Sequence, residues 1–137
     1  MTTELRIPRH IADAIVAHAV AELPNECCGL LIGSAQTIHQ SVPARNLAAS
    51  PTSYLIDPID HFAAIRSART AGLSVIGAYH SHPGAPPVPS RRDMAEVGFA
   101  EFVYLIVSLE AGQTGERLRA YYLTEDRATP LTLVHVQ

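Results

Sequence analysis

Two histidines stand one residue apart in His80-Ser81-His82, and Ser90 and Asp93 follow shortly after. In a strand, residues i and i+2 point to the same side. His80 and His82 can therefore present two imidazoles to a single point. The segment after them, from Gly84 to Pro89, is rich in proline and lets the chain turn back. Ser90 then begins a helix, and Asp93 falls in its first turn, where a carboxylate can swing toward the same point. Two histidines and one carboxylate make three protein ligands for Zn2+, with the fourth tetrahedral position open to water. A structural zinc site would be closed and rich in cysteine. Water on such a metal has a pKa of about 7, and amide hydrolysis then needs a carboxylate to move its proton. Glu26 is the candidate, in Glu26-Cys27-Cys28-Gly29-Leu30-Leu31 at the mouth of an apolar run. The sequence alone does not say whether that run lies beside His80.

The spacing is uncommon. With 7 His, 9 Ser and 5 Asp in the chain, His-x-His-x7-Ser-x2-Asp arises in roughly one random chain in a thousand. Blander roles exist for each residue. Ser90 and Asp93 also match a helix-capping box, with Ser as N-cap and an acid three residues on. Ser90 can do both, since a hydroxyl accepts and donates; Asp93 as a ligand is expected to cap little. Glu26 by itself would be a solvated acid after a helix. Cys28 reads as a small core residue, and whether Cys27, Cys28 or Tyr54 contacts substrate is left open. His10, His18, His39, His61 and His135 stand alone and receive no role.

The elements that must position these groups are legible in outline. Ile7, Ile11, Ile15 and Ala19 recur at helical spacing between Pro8 and Pro24, predicting a first helix. Cys28 to Gly33 reads as a buried strand, and 36–42 as its hairpin partner. After a loop from Pro43 to Pro51, Ser53-Tyr54-Leu55-Ile56 looks like another strand, whose edge is a candidate for adding an extended substrate. Asp57 as N-cap, Pro58 in the first turn and Asp60 near the positive end of the dipole open a second helix, with Gly72 as its stop. Leu73 to Tyr79 is a strand leading into the histidines. The helix begun at Ser90 is expected to end near Gly98. Phe102 to Leu109, Arg117 to Leu123 and Leu131 to Val136 complete the strands. A groove is expected near His80 and Ser90, walled by the Gly84 to Pro89 loop.

Composition narrows the function classes. The 137 residues suit one domain, 1–137, of α+β class, able to bury a core without disulfides. All ten basic residues are arginines, which removes lysine Schiff-base chemistry. They are scattered apart from Arg91-Arg92, so no basic stripe marks a nucleic-acid binder. Adjacent Cys27 and Cys28 make no useful crosslink, which fits a reducing compartment. Polar residues interrupt every apolar stretch before it could span a bilayer. The expectation is a soluble, cytoplasmic protein with no nucleic-acid or membrane partner.

The full pattern resembles the JAMM motif of MPN+ metallopeptidases: His-Ser-His, seven residues, Ser, two residues, Asp, with an upstream Glu before a Gly-Leu-Leu strand. The resemblance runs from Glu26 through the last strands. It implies an MPN/JAMM-like domain with a mainly antiparallel, curved β-sheet flanked by helices. It further implies zinc on His80, His82 and Asp93, with Glu26 as general acid/base and Ser90 helping to stabilise the oxyanion. Glu26-Cys27-Cys28-Gly29, Asn46 with Ser50-Pro51-Thr52, and Tyr79-His80-Ser81-His82 resemble the compact prokaryotic branch of that family. Its members act on the Gly-Gly tails of ubiquitin-like sulfur-carrier proteins or on related isopeptide and peptide bonds. The chain lacks the length for the insertions with which eukaryotic relatives grip ubiquitin. Two other classes stay open: a zinc amidohydrolase for small-molecule amides, and a non-catalytic MPN-type scaffold, against which the complete motif speaks. A homodimer and a metal other than zinc are also left open.

Overall fold

A computed structural model of the chain describes residues 4–95, 102–112 and 115–137. The first element is strand β1 (Glu4–Pro8), in which Leu5 and Ile7 are buried and Glu4 and Arg6 are exposed. Ile7 therefore does not open a helix. It fits both a period of two and a helical period, and the tie is broken by parallel pairing with the last strand, where Ile7 lies opposite His135. Helix α1 (Arg9–Ala21) starts directly afterwards and buries Ile11, Ala12, Ile15 and Ala19 along one stripe.

Strands β2 (Cys28–Ser34) and β3 (Thr37–Ala44) form the expected hairpin. Helix α2 (Pro58–Thr70) starts as the sequence indicates, with the Asp57 carboxylate accepting from the Ile59 N–H at 2.9 Å. It ends in a Schellman motif: Gly72 takes a φ of 73°, and the Leu73 N–H returns to the Ala68 carbonyl at 2.8 Å. Strand β4 (Ser74–His82) carries both histidines. Helix α3 (Arg91–Ala95) and strands β5 (Val103–Ser108), β6 (Leu118–Leu123) and β7 (Ala128–Val136) follow. The expected end of α3 near Gly98 lies outside the described residues.

Ser53 to Ile56 is not a strand; among the described residues its ladder contact is a single bridge between Asn46 and Ile56, with the Leu47 N–H donating to the Leu55 carbonyl at 2.8 Å. Two other main-chain groups that a strand partner would use are taken by a side chain instead. Asn46 binds the Ser53 carbonyl and the Leu55 N–H.

The strands lie in the order β1-β3-β2-β4-β5-β6-β7, and β7 pairs with β1 to close the sheet. Pairing is antiparallel except for β1 with β3, β1 with β7 and β4 with β5. One apolar cluster joins α1 to Leu5, Ile7, Leu31, Tyr79 and Leu105. Another joins Ala64 and Ala68 of α2 to Leu30, Ile32 and Ala78 on the opposite face. The two faces of β4 therefore do different work: Tyr79 belongs to the α1 core, and His80 and His82 point the other way. The parallel pairing of β4 and β5 forces the chain to cross back after His82, which brings the α3 segment over the end of β4.

Candidate active site

The register answers what the sequence left open. Cys28 of β2 lies opposite His80 of β4, and the antiparallel register continues past the strand end. The Ser81 N–H donates to the Cys27 carbonyl at 3.1 Å, and the Cys27 N–H donates to the Ser81 hydroxyl at 2.7 Å. Glu26 thus arrives level with His82. Ser81, between the two histidines, acts as a clamp on the segment that carries Glu26.

His80 Nε2, His82 Nε2 and Asp93 Oδ2 form a triangle whose three sides are each 3.2 Å. Bonds of about 2.0–2.1 Å to a tetrahedral zinc would set its ligand atoms about 3.3 Å apart. The triangle therefore has the size that a zinc ion requires. Its chemistry agrees, because two imidazole nitrogens at 3.2 Å repel unless a proton or a cation lies between them. His82 Nδ1 donates to the Pro86 carbonyl at 2.9 Å, leaving Nε2 with its lone pair toward the triangle. That is the usual support for a ligating histidine. Among the described residues these three are the group that could hold a metal ion.

Burial pulls His80 below the ordinary histidine value, against the opposing pull of Asp93, so its ring is held neutral as a metal ligand must be. Burial also opposes the charge of Asp93, but the two imidazoles beside it and the Ser90 N–H, which donates to its Oδ2, outweigh it and keep the carboxylate ionised. Asp93 caps as well as converges. Its Oδ2 accepts from the Ser90 N–H at 2.8 Å, while the Ser90 hydroxyl accepts from the Asp93 N–H at 3.0 Å. The minor capping role expected of Asp93 is therefore replaced by a full reciprocal capping box.

Glu26 is almost fully buried, and its Oε1 has no hydrogen-bond partner among the described residues. Burial raises its pKa to about 7, with His82 pulling down and Asp93 pushing up. A carboxyl group poised there can both take and return a proton near neutrality. Glu26, His82 and Ser90 line one cleft of about 430 Å³ together with Pro51, Thr52 and Gly84. The proline-rich loop walls this cleft as expected and is firmly pinned. Three successive carbonyls are held: Ala85 by the Ser108 hydroxyl at 2.6 Å, Pro86 by His82, and Pro87 by the Tyr121 hydroxyl at 2.6 Å.

Tyr54 stacks on His80, with ring centroids 4.4 Å apart and planes inclined by 19°. It covers an imidazole whose Nδ1 makes no hydrogen bond among the described residues. The sequence offered Tyr54 as part of a substrate-binding edge, and the structure makes it packing for His80. Cys27 and Cys28 are free and buried, and burial raises their thiols to about 11 and about 12. Cys27 belongs to the α1 core rather than to the cleft. His18, which received no role, donates to or accepts from the Tyr79 hydroxyl at 2.8 Å beneath β4. Nothing in the spacing of His18 could have revealed Tyr79, 61 residues away, and Asn46, noted in the sequence only for a resemblance, reaches back to Glu26, 20 residues away.

The fold and these residues define an MPN/JAMM domain. A solved structure described as a JAMM metalloprotease-like zinc site in the proteasome and signalosome has the same fold. Its TM-score is 0.61 at 20% identity, covering 98% of this chain and 100% of that one. A solution structure of a protein from Desulfitobacterium hafniense matches with a TM-score of 0.86 at 28% identity, over 97% and 93% of the two chains. The chain belongs to the prokaryotic homologs of the JAB domain, whose family model matches residues 8–123. A desampylase of Haloferax volcanii is 33% identical over 120 residues, 82% of this chain and 86% of that one. A probable TtuB-protein conjugate cleaving protease of Thermus thermophilus is 32% identical over 131 residues, 95% and 83% of the two chains. A CysO-cysteine peptidase of Mycobacterium tuberculosis is 30% identical over 127 residues, 91% and 86% of the two chains.

Proposed function

We propose that this chain is a zinc-dependent peptidase that hydrolyses the peptide or isopeptide bond at the C-terminal tail of a small ubiquitin-like or sulfur-carrier protein. The observation that carries the reading is the 3.2 Å triangle of His80, His82 and Asp93, whose His82 corner lines the cleft that also holds Glu26 and Ser90. The substrate class is supported by the relatives named as a desampylase, a TtuB-conjugate protease and a CysO-cysteine peptidase. A Gly-Gly tail suits the site, because glycine lets a backbone approach closely between pinned walls.

His80, His82 and Asp93 would hold the zinc, which when bound polarises the scissile carbonyl and makes water acidic enough to attack near neutral pH. Glu26 removes the proton from the attacking water. The Ser90 hydroxyl, whose oxygen already accepts from the Asp93 N–H, keeps its own hydrogen for the oxyanion. Glu26 then delivers its proton to the departing amine. All of these groups come from one chain, so the chemistry requires no homodimer. No described helix is long and apolar enough to cross a membrane, and free buried thiols fit a cytoplasmic setting.

The test is mass spectrometry of carrier-protein conjugates after incubation with the zinc-loaded protein. Release of the carrier with an intact Gly-Gly terminus is the expected product. Glu26→Gln should bind zinc and lose roughly 10²- to 10⁴-fold in kcat; full activity in that variant would remove Glu26 from the mechanism. Turnover of short amides, with conjugates left intact, would instead select a small-molecule amidohydrolase.

A further inference from the structure

The carboxylate of Glu26 has to be aimed, yet its buried Oε1 meets no hydrogen-bond donor among the described residues. Its main chain must therefore do the aiming. Glu26 precedes β2 and has no ladder partner, but both of its peptide groups are held by the 46–53 segment. The Glu26 N–H donates to the Ser50 carbonyl at 2.8 Å, and the Glu26 carbonyl accepts from Asn46 Nδ2 at 3.0 Å. The same Asn46 carboxamide grips both sides of Tyr54. Its Nδ2 donates to the Ser53 carbonyl at 3.1 Å, and its Oδ1 accepts from the Leu55 N–H at 2.9 Å. A fourth bond, from the Ala48 N–H at 3.0 Å, closes the turn. These four bonds use both donors of the amide and two lone pairs of its oxygen.

One half-buried side chain thus joins the main chain of Glu26 to the residue stacked on His80. We propose that Asn46 is a positioning residue, setting Glu26 against the His80 imidazole by tying the Glu26 carbonyl to both flanks of Tyr54. The inference rests on the hydrolase reading above. A small displacement is enough for a large effect, since misplacing a catalytic group by about 1 Å can cost on the order of a hundredfold in rate.

Asn46→Asp is the discriminating variant. It keeps an oxygen for the Ala48 and Leu55 N–H groups but turns a second oxygen toward the carbonyls of Glu26 and Ser53. The zinc-loaded variant should bind one metal as wild type does, and kcat should fall about 10- to 100-fold with KM changed less than about threefold. In the metal-free variant, the ring-current shift that Tyr54 imposes on the His80 imidazole protons should diminish by NMR. Tyr54→Ala leaves the Asn46 bonds in place and removes the stack; kcat should fall, and Tyr54→Phe should restore it. A lowered melting temperature in Asn46→Asp, with kcat and the His80 resonances unchanged, would overturn the proposal, as would a fully active Tyr54→Ala. Wild-type protein that is loaded with zinc and cleaves no conjugate would instead defeat the hydrolase reading on its own.

Discussion

Strand β4 and the segment from 45 to 57 each hold part of the site, and they do so by opposite means. His80 and His82 sit on a strand paired on both flanks, opposite Cys28 on one side and Ile106 and Ser108 on the other. Their direction follows from the pleat and is shared with every residue of the ladder. Glu26 and Tyr54 instead lie outside the ladder, where the Asn46 side chain holds the Glu26 carbonyl and both flanks of Tyr54, beside the Ser50 carbonyl that takes the Glu26 N–H. A redundant ladder tolerates the loss of one contact, whereas a hub does not. The two candidate histidine ligands are thus held by the sheet, Asp93 by α3, and the candidate proton-transfer carboxylate by loop contacts.

The largest effect should come from breaking the strand-borne half outright. His80→Ala removes one corner of the triangle while leaving the β4 main-chain ladder intact. It should fold, bind no stoichiometric zinc by metal analysis, and show no hydrolysis above background. Wild-type metal content in that variant would move the site away from His80.

Gly29→Ala strains the same strand pair from behind. A Cβ at Gly29 would lie 2.2 Å from Tyr79 Cε2, and the Tyr79 ring is closed in by the α1 core and by His18. The ring cannot yield without moving β4, so overpacking should cost about 1–3 kcal/mol in denaturant unfolding. An unchanged midpoint would mean that the strands separate more easily than a paired ladder allows.

The smallest expected effect concerns the loop-borne half and is read in the metal-free protein. Burial raises Glu26 from its ordinary 4.5 to about 7. Between those values the folded chain keeps a proton that the unfolded chain has released. The contribution of protonated Glu26 is therefore fully present below pH 4.5 and is lost as pH rises through about 7. Glu26→Gln cannot ionise, so it should melt higher than wild type at pH 8, with the gap narrowing toward pH 4. A gap that stays constant from pH 8 to pH 4 would place Glu26 in a solvated setting.

Much of this was legible because it is local. Asp57, Pro58 and Gly72 bracket α2 through capping and a positive φ, which need only neighbouring residues. The pair His80 and His82 points one way because strand residues alternate, and Ser90 starts α3 because its hydroxyl reaches Asp93 three residues on. Where local signals were degenerate, the sequence misled. Ile7 fits either period, and Ser53 to Ile56 has strand-forming residues, yet Asn46 takes the Ser53 carbonyl and the Leu55 N–H.

By itself the sequence determined the candidate ligand types, their spacing, and a candidate acid to serve them, since each depends on side-chain chemistry and on periods of two or 3.6. Only the tertiary structure decided that β2 lies beside β4, that the sheet closes through β1 and β7, and that Asn46 and Tyr54 join Glu26 to His80. Those contacts link residues distant along the chain. No pattern within a few positions records them, because they form only when burial of the two apolar clusters brings the segments together.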